Sequence, residues 1–212
     1  MSDSLTRLLE SGVVAIMRAN SSEQLLGAAD ALLAGGVGAI EVTMTTPGAL
    51  EVIREATNRY GSDVLFGVGS VLDAETARAA ILAGTAFVVC PTLDLATIEL
   101  CRRYSVPVVP GAYTPTEILT AWEAGADVVK IFPASVGGPK YIKAVLAPLP
   151  QVRVMPVGGV NLDTAAEFIR AGAVGLGVGS SLVNQKLLDS GDFDEITSRA
   201  RRFRDAFAAG QS

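Results

Sequence analysis

Short apolar runs rich in β-branched residues alternate with longer amphipathic stretches along the whole chain. Such runs predict buried strands, whereas apolar residues spaced three or four apart predict helices that face a core. The runs lie at residues 13–17, 39–43, 64–68, 86–90, 106–109, 127–132, 152–157 and 174–178. The amphipathic stretches between them lie at residues 22–33, 47–58, 73–82, 95–103, 115–123, 139–146 and 162–170.

A weak internal repeat supports this alternation. An Ala-Gly pair closes four of the predicted helices, at Ala34-Gly35, Ala83-Gly84, Ala124-Gly125 and Ala171-Gly172. Glycine just past a helix end is a common C-cap. Eight βα units in 212 residues predict an α/β fold, a single (β/α)₈ TIM-barrel domain over residues 1–212 with a short N-terminal helix. A doubly wound open sheet is the alternative, but Gly67-Val68-Gly69 lacks the third glycine of a dinucleotide-binding turn.

A lysine interrupts the sixth apolar run, because Lys130 stands in the sequence Val-Val-Lys-Ile-Phe-Pro. Burial of an unpaired ammonium group costs several kcal/mol or lowers the lysine pKa. A lysine that is partly neutral attacks carbonyl carbons and forms Schiff bases. The alternative is a structural lysine whose ammonium reaches solvent at the strand end or pairs with a carboxylate.

Glu41 is predicted to face the same interior as Lys130. Alternation along the second strand turns Ile40 and Val42 toward the helices and Glu41 toward the barrel axis, and the same pattern turns Lys130 inward from the sixth strand. A structural ion pair is one explanation. Since replacing a buried ion pair by apolar residues is often neutral or stabilising, we favour a functional pair. Lys130 is then the nucleophile, and Glu41 moves protons.

Glycine-rich segments follow the seventh and eighth strands. They contain Gly158 and Gly159 in the first segment and Gly179 and Ser180 in the second. In TIM barrels the loops at these two positions often bind phosphate through backbone N–H groups. The alternative is that the glycines only relieve crowding in a small barrel.

Two further polar residues are predicted at strand ends. Arg18 follows the first strand, where a guanidinium is well placed to bind a carboxylate or phosphate with two hydrogen bonds. A solvated arginine at the rim is the alternative. Ser70 ends the third strand and brings a hydroxyl and backbone amides toward the centre of the site.

Composition excludes several classes of function. The chain has 17 Lys and Arg against 22 Asp and Glu, so nucleic acid is not an expected partner. It has no histidine, which removes Ser-His and Cys-His triads and the usual zinc sites. No apolar run is long enough for a membrane span and no signal peptide is recognisable, so we expect a cytoplasmic protein with reduced Cys90 and Cys101. The mean hydropathy of +0.41 suggests interfaces between subunits.

Four segments of the chain, in matching order between about residues 12 and 185, resemble a known family. They are Ile40-Glu41-Val42-Thr43, Gly67-Val68-Gly69-Ser70, Val129-Lys130-Ile131-Phe132-Pro133 and Val157-Gly158-Gly159-Val160. The family is the class I 2-keto-3-deoxy-6-phosphogluconate (KDPG) aldolases with their phosphogalactonate relatives. The resemblance implies reversible cleavage of a phosphorylated 2-keto-3-deoxy sugar acid to pyruvate and glyceraldehyde 3-phosphate, without a metal or other cofactor, by a homotrimer.

The resemblance also implies roles for individual residues. Lys130 is the expected Schiff-base lysine, and Glu41 is the expected acid and base. Ser70 stands where the family usually has a threonine that holds the pyruvate carboxylate. The other expected substrate contacts are Pro91 and Phe132 around the pyruvyl group, and Gly158, Gly159, Gly179 and Ser180 around the phosphate.

One position departs from the pattern of some family members. Thr45 stands where those members carry a carboxylate-binding arginine, and Arg18 matches an arginine of other members that is able to take this role. The segment at residues 138–143 is closer to the phosphogalactonate branch. The same chemistry on the phosphogalactonate epimer or on 4-hydroxy-2-oxoglutarate therefore stays open. Beyond this class, the alternatives are a phosphate-binding barrel isomerase or epimerase and a sugar-phosphate sensor without catalysis.

Overall fold

Helices and parallel strands alternate in a computed structural model that describes residues 3–212. Strands β1 to β9 are Val13–Met17, Ala39–Thr43, Leu65–Gly69, Val88–Val89, Val108–Val109, Gly111–Ala112, Val129–Ile131, Val154–Pro156 and Leu176–Val178. Helices α1 to α10 are Asp3–Ser11, Ser22–Ala34, Ala49–Tyr60, Ala74–Leu82, Leu95–Arg103, Pro115–Glu123, Ala134–Leu146, Leu162–Arg170, Gln185–Ser190 and Phe193–Gln211.

The strands form a closed barrel. One sheet has the order β5-β4-β3-β2-β1-β9 and the other has the order β6-β7-β8, with every pairing parallel. A parallel bridge between Val157 and Gly177 joins the β8 side to β9, and only Pro110 separates β5 from β6. The two sheets thus make one ring of eight barrel strands. The predicted (β/α)₈ fold is confirmed.

The fifth barrel strand differs from its predicted bounds. The sequence pattern predicted residues 106–109, whereas the structure begins the strand at Val108 and continues it beyond Pro110 as β6. Pro110 interrupts the ladder because proline has no N–H to donate. Its carbonyl still accepts a hydrogen bond from the backbone N–H of Lys130 at 2.9 Å. The interruption therefore leaves β7, which carries the lysine, firmly paired.

Helix α7 also begins earlier than predicted. A first turn starts at Ala134, and Gly138, with φ 62° and ψ −167°, breaks the helical geometry. The regular part then starts at Pro139, the first residue of the predicted stretch. Proline suits the first position of a helix because its missing N–H has no partner there. The spacing of hydrophobic residues did not predict the extra turn that begins at Ala134.

Buried apolar residues form two clusters, one inside the barrel and one in the layer between the strands and the helices. Leu5 and Leu8 of α1 close the N-terminal end of the barrel, which confirms the predicted short helix. Inside lie Val14, Ala39, Leu65, Phe87, Val89, Val109, Val128, Met155 and Val157. The outward residues Ile40, Val42, Val129 and Ile131 pack in the layer beneath the helices, as alternation predicted. The opposite, C-terminal end is left for polar groups.

The structure also bears on the expected state of the cysteines and on the expected absence of a membrane span. Cys90 and Cys101 are buried free thiols, as predicted. Within residues 3–212, no helix combines the length and apolar character needed to cross a membrane. The expectation of a single domain over residues 1–212 includes Met1 and Ser2, which lie outside the described residues, and it stays a prediction.

Candidate active site

A cavity of about 440 Å³ opens where the C-terminal ends of the barrel strands meet. All ten residues expected at the site from the sequence line it. They are Arg18, Glu41, Ser70, Pro91, Lys130, Phe132, Gly158, Gly159, Gly179 and Ser180. Since these residues come from seven different strands and their following loops, barrel closure brings them together.

Lys130 lies on β7 with its side chain inside the barrel, and the residue is only 5% exposed. Its Nζ lies 5.1 Å from the centroid of the Phe132 ring, within the range of a cation–π contact. Phe132 is 39% exposed and forms a wall of the cavity. The ammonium group is thus almost enclosed, yet it borders a space that a small carbonyl compound can enter.

Glu41 lies on β2 and is 1% exposed. Burial raises the pKa of its carboxyl group above the usual 4.5, and the nearby charges of Lys130 and Arg18 oppose this shift without cancelling it. Among the described residues, the Oε2 atom of Glu41 has no hydrogen-bond partner. A buried acceptor without a partner is costly, so this oxygen is a candidate contact for a ligand.

The structural ion-pair explanation does not describe this arrangement. Between residues 3 and 212, the salt bridges join Arg59 to Asp30, Arg103 to Glu99 and Arg199 to Glu195. All three are at the surface, and none includes Glu41 or Lys130. The two buried groups influence each other electrostatically, and both line the same cavity.

Ser70 and Thr43 add hydroxyl groups to the cavity. Ser70 has φ 59°, an uncommon backbone conformation for a residue other than glycine. Thr43 follows Glu41 by two residues on the same inner face, and its Oγ1 lies 2.8 Å from Oγ1 of Thr45. Thr43 was not among the residues proposed for the site, although the alternation that turns Glu41 toward the barrel axis also turns Thr43 inward.

The glycines after β8 have a geometric reason for their identity. Gly158 and Gly159 have φ values of 87° and 80°, where side chains are strained. A Cβ atom at Gly159 would also lie 2.5 Å from Cβ of Ser135. Crowding does not explain Gly179, because a Cβ atom there would meet nothing within 4 Å. Open space beside Gly179 agrees with a backbone that a ligand approaches.

Other cavity residues were missed by sequence reasoning. The same cavity is also lined by four residues that follow Gly179 and Ser180 after β9, namely Ser181, Val183, Asn184 and Gln185. Asn184 caps α9, since its side chain accepts a hydrogen bond from the N–H of Leu187. An Asn before a helical stretch is a recognisable N-cap signal, but the shortness of α9 hid it.

The residues described by the structure offer no evident metal centre. No group of three or more carboxylate or thiol side chains between residues 3 and 212 is arranged to hold a metal ion. Burial raises the pKa of the Cys90 thiol to about 12, which leaves Cys90 a poor nucleophile and metal ligand. Lys130 is therefore the candidate nucleophile of this cavity.

Comparison with known proteins gives the same picture. Residues 5–199 match the family model for KDPG and KHG aldolase. The 2-dehydro-3-deoxy-6-phosphogalactonate aldolase of Escherichia coli K12 is 37% identical over 171 residues, which cover 80% of this chain and 83% of that protein. The 2-dehydro-3-deoxy-phosphogluconate aldolase of Treponema pallidum is 36% identical over 191 residues, which cover 90% of each chain.

A solved structure agrees over nearly the whole chain. The KDPG aldolase of Legionella pneumophila, with pyruvate captured as a covalent carbinolamine, superposes with a TM-score of 0.88 at 26% identity and covers 94% of this chain and 97% of that one. The resemblance found in the sequence is confirmed. With a family match over most of its length and relatives above 30% identity, this chain belongs to the KDPG and KHG aldolase family.

Proposed function

We propose that this protein is a class I aldolase that cleaves KDPG to pyruvate and glyceraldehyde 3-phosphate through a Schiff base on Lys130. The observation that carries the proposal is the meeting of two enclosed ionisable groups, Lys130 and Glu41, in one cavity that also contains a glycine-rich end. Carbonyl chemistry requires the amine, and proton transfer requires the carboxyl group.

The reaction begins when the neutral amine of Lys130 attacks the C2 carbonyl carbon of the substrate. The resulting carbinolamine loses water to form an iminium ion, which accepts the electron pair of the C3–C4 bond as this bond breaks. The C4 hydroxyl loses its proton and becomes the aldehyde of glyceraldehyde 3-phosphate. The enamine that remains gains a proton at C3, and hydrolysis then releases pyruvate and the free lysine.

Glu41 is suited to the proton transfers of this sequence. Because burial raises its pKa, the carboxyl group retains a proton at higher pH than an exposed glutamate does. A group whose pKa approaches the working pH is an efficient acid and base. We assign to Glu41 the protons that are lost and gained at the carbinolamine, at the C4 hydroxyl and at C3.

We assign the remaining cavity residues to different parts of the substrate. Arg18 and Ser70 bind the carboxylate, while Pro91 and Phe132 enclose the pyruvyl carbons. The glycine-rich end binds the phosphate, through backbone N–H groups at Gly158, Gly159 and Gly179 and the hydroxyl of Ser180. Binding energy from the remote phosphate orients the C3–C4 bond over the iminium ion.

Borohydride trapping tests the class of reaction. Incubation with pyruvate and borohydride is expected to add one reduced pyruvyl group to Lys130, as identified by peptide mass mapping. An isomerase, an epimerase or a sensor without catalysis gives no such adduct. Rates on KDPG, its phosphogalactonate epimer and 4-hydroxy-2-oxoglutarate then rank the substrates, and a clear preference for either of the last two would replace KDPG in the proposal.

We also propose a homotrimer in the cytoplasm. Leu72, which precedes α4, and Leu95, which begins the neighbouring helix α5, are 64% and 51% exposed and suit an interface between subunits. Free Cys90 and Cys101 suit a reducing compartment. Light scattering on the purified protein tests the mass, and a Leu72→Asp/Leu95→Asp variant is expected to dissociate. A monomeric wild-type protein would contradict the trimer.

A further inference from the structure

Gly67 and Gly69 occupy inward-facing positions on β3, on the same face of the strand as Leu65. Neighbouring side chains lean over both of them. A Cβ atom at Gly67 would lie 2.2 Å from the ring of Phe87, and a Cβ atom at Gly69 would lie 1.7 Å from Oε1 of Glu41. The inner face of β3 is therefore a groove, which the ring of Phe87 fills beside Gly67 and the carboxyl group of Glu41 fills beside Gly69.

The lack of a side chain at Gly69 is a matter of space. Its φ lies outside the left-handed region, so the backbone conformation suits alanine as well as glycine. The Cδ and Cγ atoms of Glu41 would lie 2.3 and 2.6 Å from an added Cβ. All three close contacts belong to one side chain, and Gly69 can gain a methyl group only if Glu41 moves.

Polar contacts do not replace this steric fit. Among the described residues, Oε2 of Glu41 has no hydrogen-bond partner, and none of the salt bridges includes this carboxylate. The carboxyl group is buried and packs closely over Gly69 of β3. In most buried acids, by contrast, hydrogen bonds determine the orientation.

We propose that Gly69 is a positioning residue that holds the carboxyl group of Glu41 over β3, at the place from which it exchanges protons with the substrate. This proposal rests on the proposed function, and it adds a requirement that the aldolase mechanism does not itself contain. A shift of about 1 Å in a catalytic group costs on the order of 10²-fold in rate. A single methyl group on β3 is therefore enough to impair proton transfer without touching either ionisable residue.

The test compares Gly69→Ala, Glu41→Ala, the double variant and Gly38→Ala. Gly38 is the matched control, because a Cβ atom there meets only the carbonyl oxygen of Asp63 at an ordinary 3.8 Å, and this residue precedes β2 at the other end of the barrel. Two quantities are measured. One is the exchange of pyruvate methyl protons in D₂O, followed by NMR, which reports proton transfer at C3. The other is the Tm.

Gly69→Ala is expected to slow methyl exchange by about 10²-fold or more, while Gly38→Ala exchanges within about threefold of the wild-type rate. Gly69→Ala is also expected to lower the Tm when Glu41 is present and to leave it unchanged in the Glu41→Ala background, because the clash then has no partner. Removal of the clash by truncation of Glu41 separates a positioning role from general damage to the barrel.

Two results overturn the proposal. One is methyl exchange by Gly69→Ala within threefold of the wild-type rate. The other is an equal loss of Tm in both backgrounds, which would show that the methyl group disturbs something other than Glu41. If the wild-type protein neither exchanges methyl protons nor traps pyruvate, the proposed function fails. The Tm comparison then still decides whether Gly69 sets the position of Glu41.

Discussion

Lys130 and Glu41 reach one cavity from β7 and β2, on opposite sides of the barrel, and no salt bridge within residues 3–212 joins them. Each is more than nine-tenths buried. Two enclosed groups of opposite charge normally approach each other, since attraction in a dry site offsets part of the cost of burial. Here they form no ion pair, and both side chains border the cavity that a substrate would enter. The following predictions test this arrangement of a nucleophile and a proton donor.

Lys130→Met is expected to abolish cleavage and borohydride trapping, because methionine keeps the length of the side chain and removes the amine. Steady-state turnover and mass mapping of the trapped protein measure the loss. Lys143→Met is the control, since Lys143 is exposed on α7 outside the cavity. Near wild-type turnover in Lys130→Met, or an adduct on another lysine, would show that the nucleophile is wrongly assigned.

Glu41→Gln keeps the shape of the side chain and removes the exchangeable carboxyl proton. We expect kcat to fall by about 10²–10⁴-fold, with slower formation of the trapped adduct. The matched comparison is Glu51→Gln, at an exposed position on α3. If kcat of Glu41→Gln stays at the wild-type value across the pH range, Glu41 takes no part in proton transfer.

The raised pKa of Glu41 predicts a pH dependence of stability. A carboxyl group whose folded-state pKa lies above its unfolded value favours the folded state fully at pH below the unfolded pKa, near 4.5, and this contribution is lost as pH rises through the folded-state pKa. Glu41→Gln does not titrate. The Tm of the variant minus that of the wild type should therefore increase as pH rises from about 4.5 toward 8. A constant or shrinking difference would contradict the raised pKa.

Ser180→Asp places a negative charge at the glycine-rich end of the cavity, where it repels a phosphate group. We expect kcat/KM for the phosphorylated substrate to fall to the level of the dephosphorylated sugar acid. Pyruvate trapping should continue, because pyruvate carries no phosphate. Ser198→Asp, on the exposed face of α10, controls for the added charge. An undiminished preference for the phosphorylated substrate would place the phosphate elsewhere.

Treatment with EDTA is expected to leave activity unchanged. In the proposed mechanism the iminium ion accepts the electrons of the broken bond, and the chain has no histidine to serve as a metal ligand. The measurement is turnover before and after exhaustive chelation, followed by addition of Zn²⁺ or Mg²⁺. Inactivation by EDTA with recovery on addition of metal would contradict the covalent-lysine mechanism and indicate a metal-dependent aldolase.

Much of the site could be predicted from local sequence patterns. Alternation along residues 39–43 and 127–132 placed Glu41 and Lys130 inside the barrel, and the structure confirms both placements. This inference needs only the period of a strand, which depends on backbone geometry and not on distant neighbours. The glycine-rich segments after the last two strands were readable for the same reason, since the position of a loop in a barrel follows from the strand count.

Contacts between distant strands were decided only by the tertiary structure. The sequence shows a glycine at residue 69 and a glutamate at residue 41, yet only the pairing of β2 with β3 reveals that one leaves room for the other. Likewise, the sequence does not show that the residues before and after Pro110 belong to one barrel strand. The pairing of β6 with β7 shows it. Periodicity and capping are local properties of the chain, whereas the packing of one side chain over another strand depends on barrel closure, and no short sequence pattern records it.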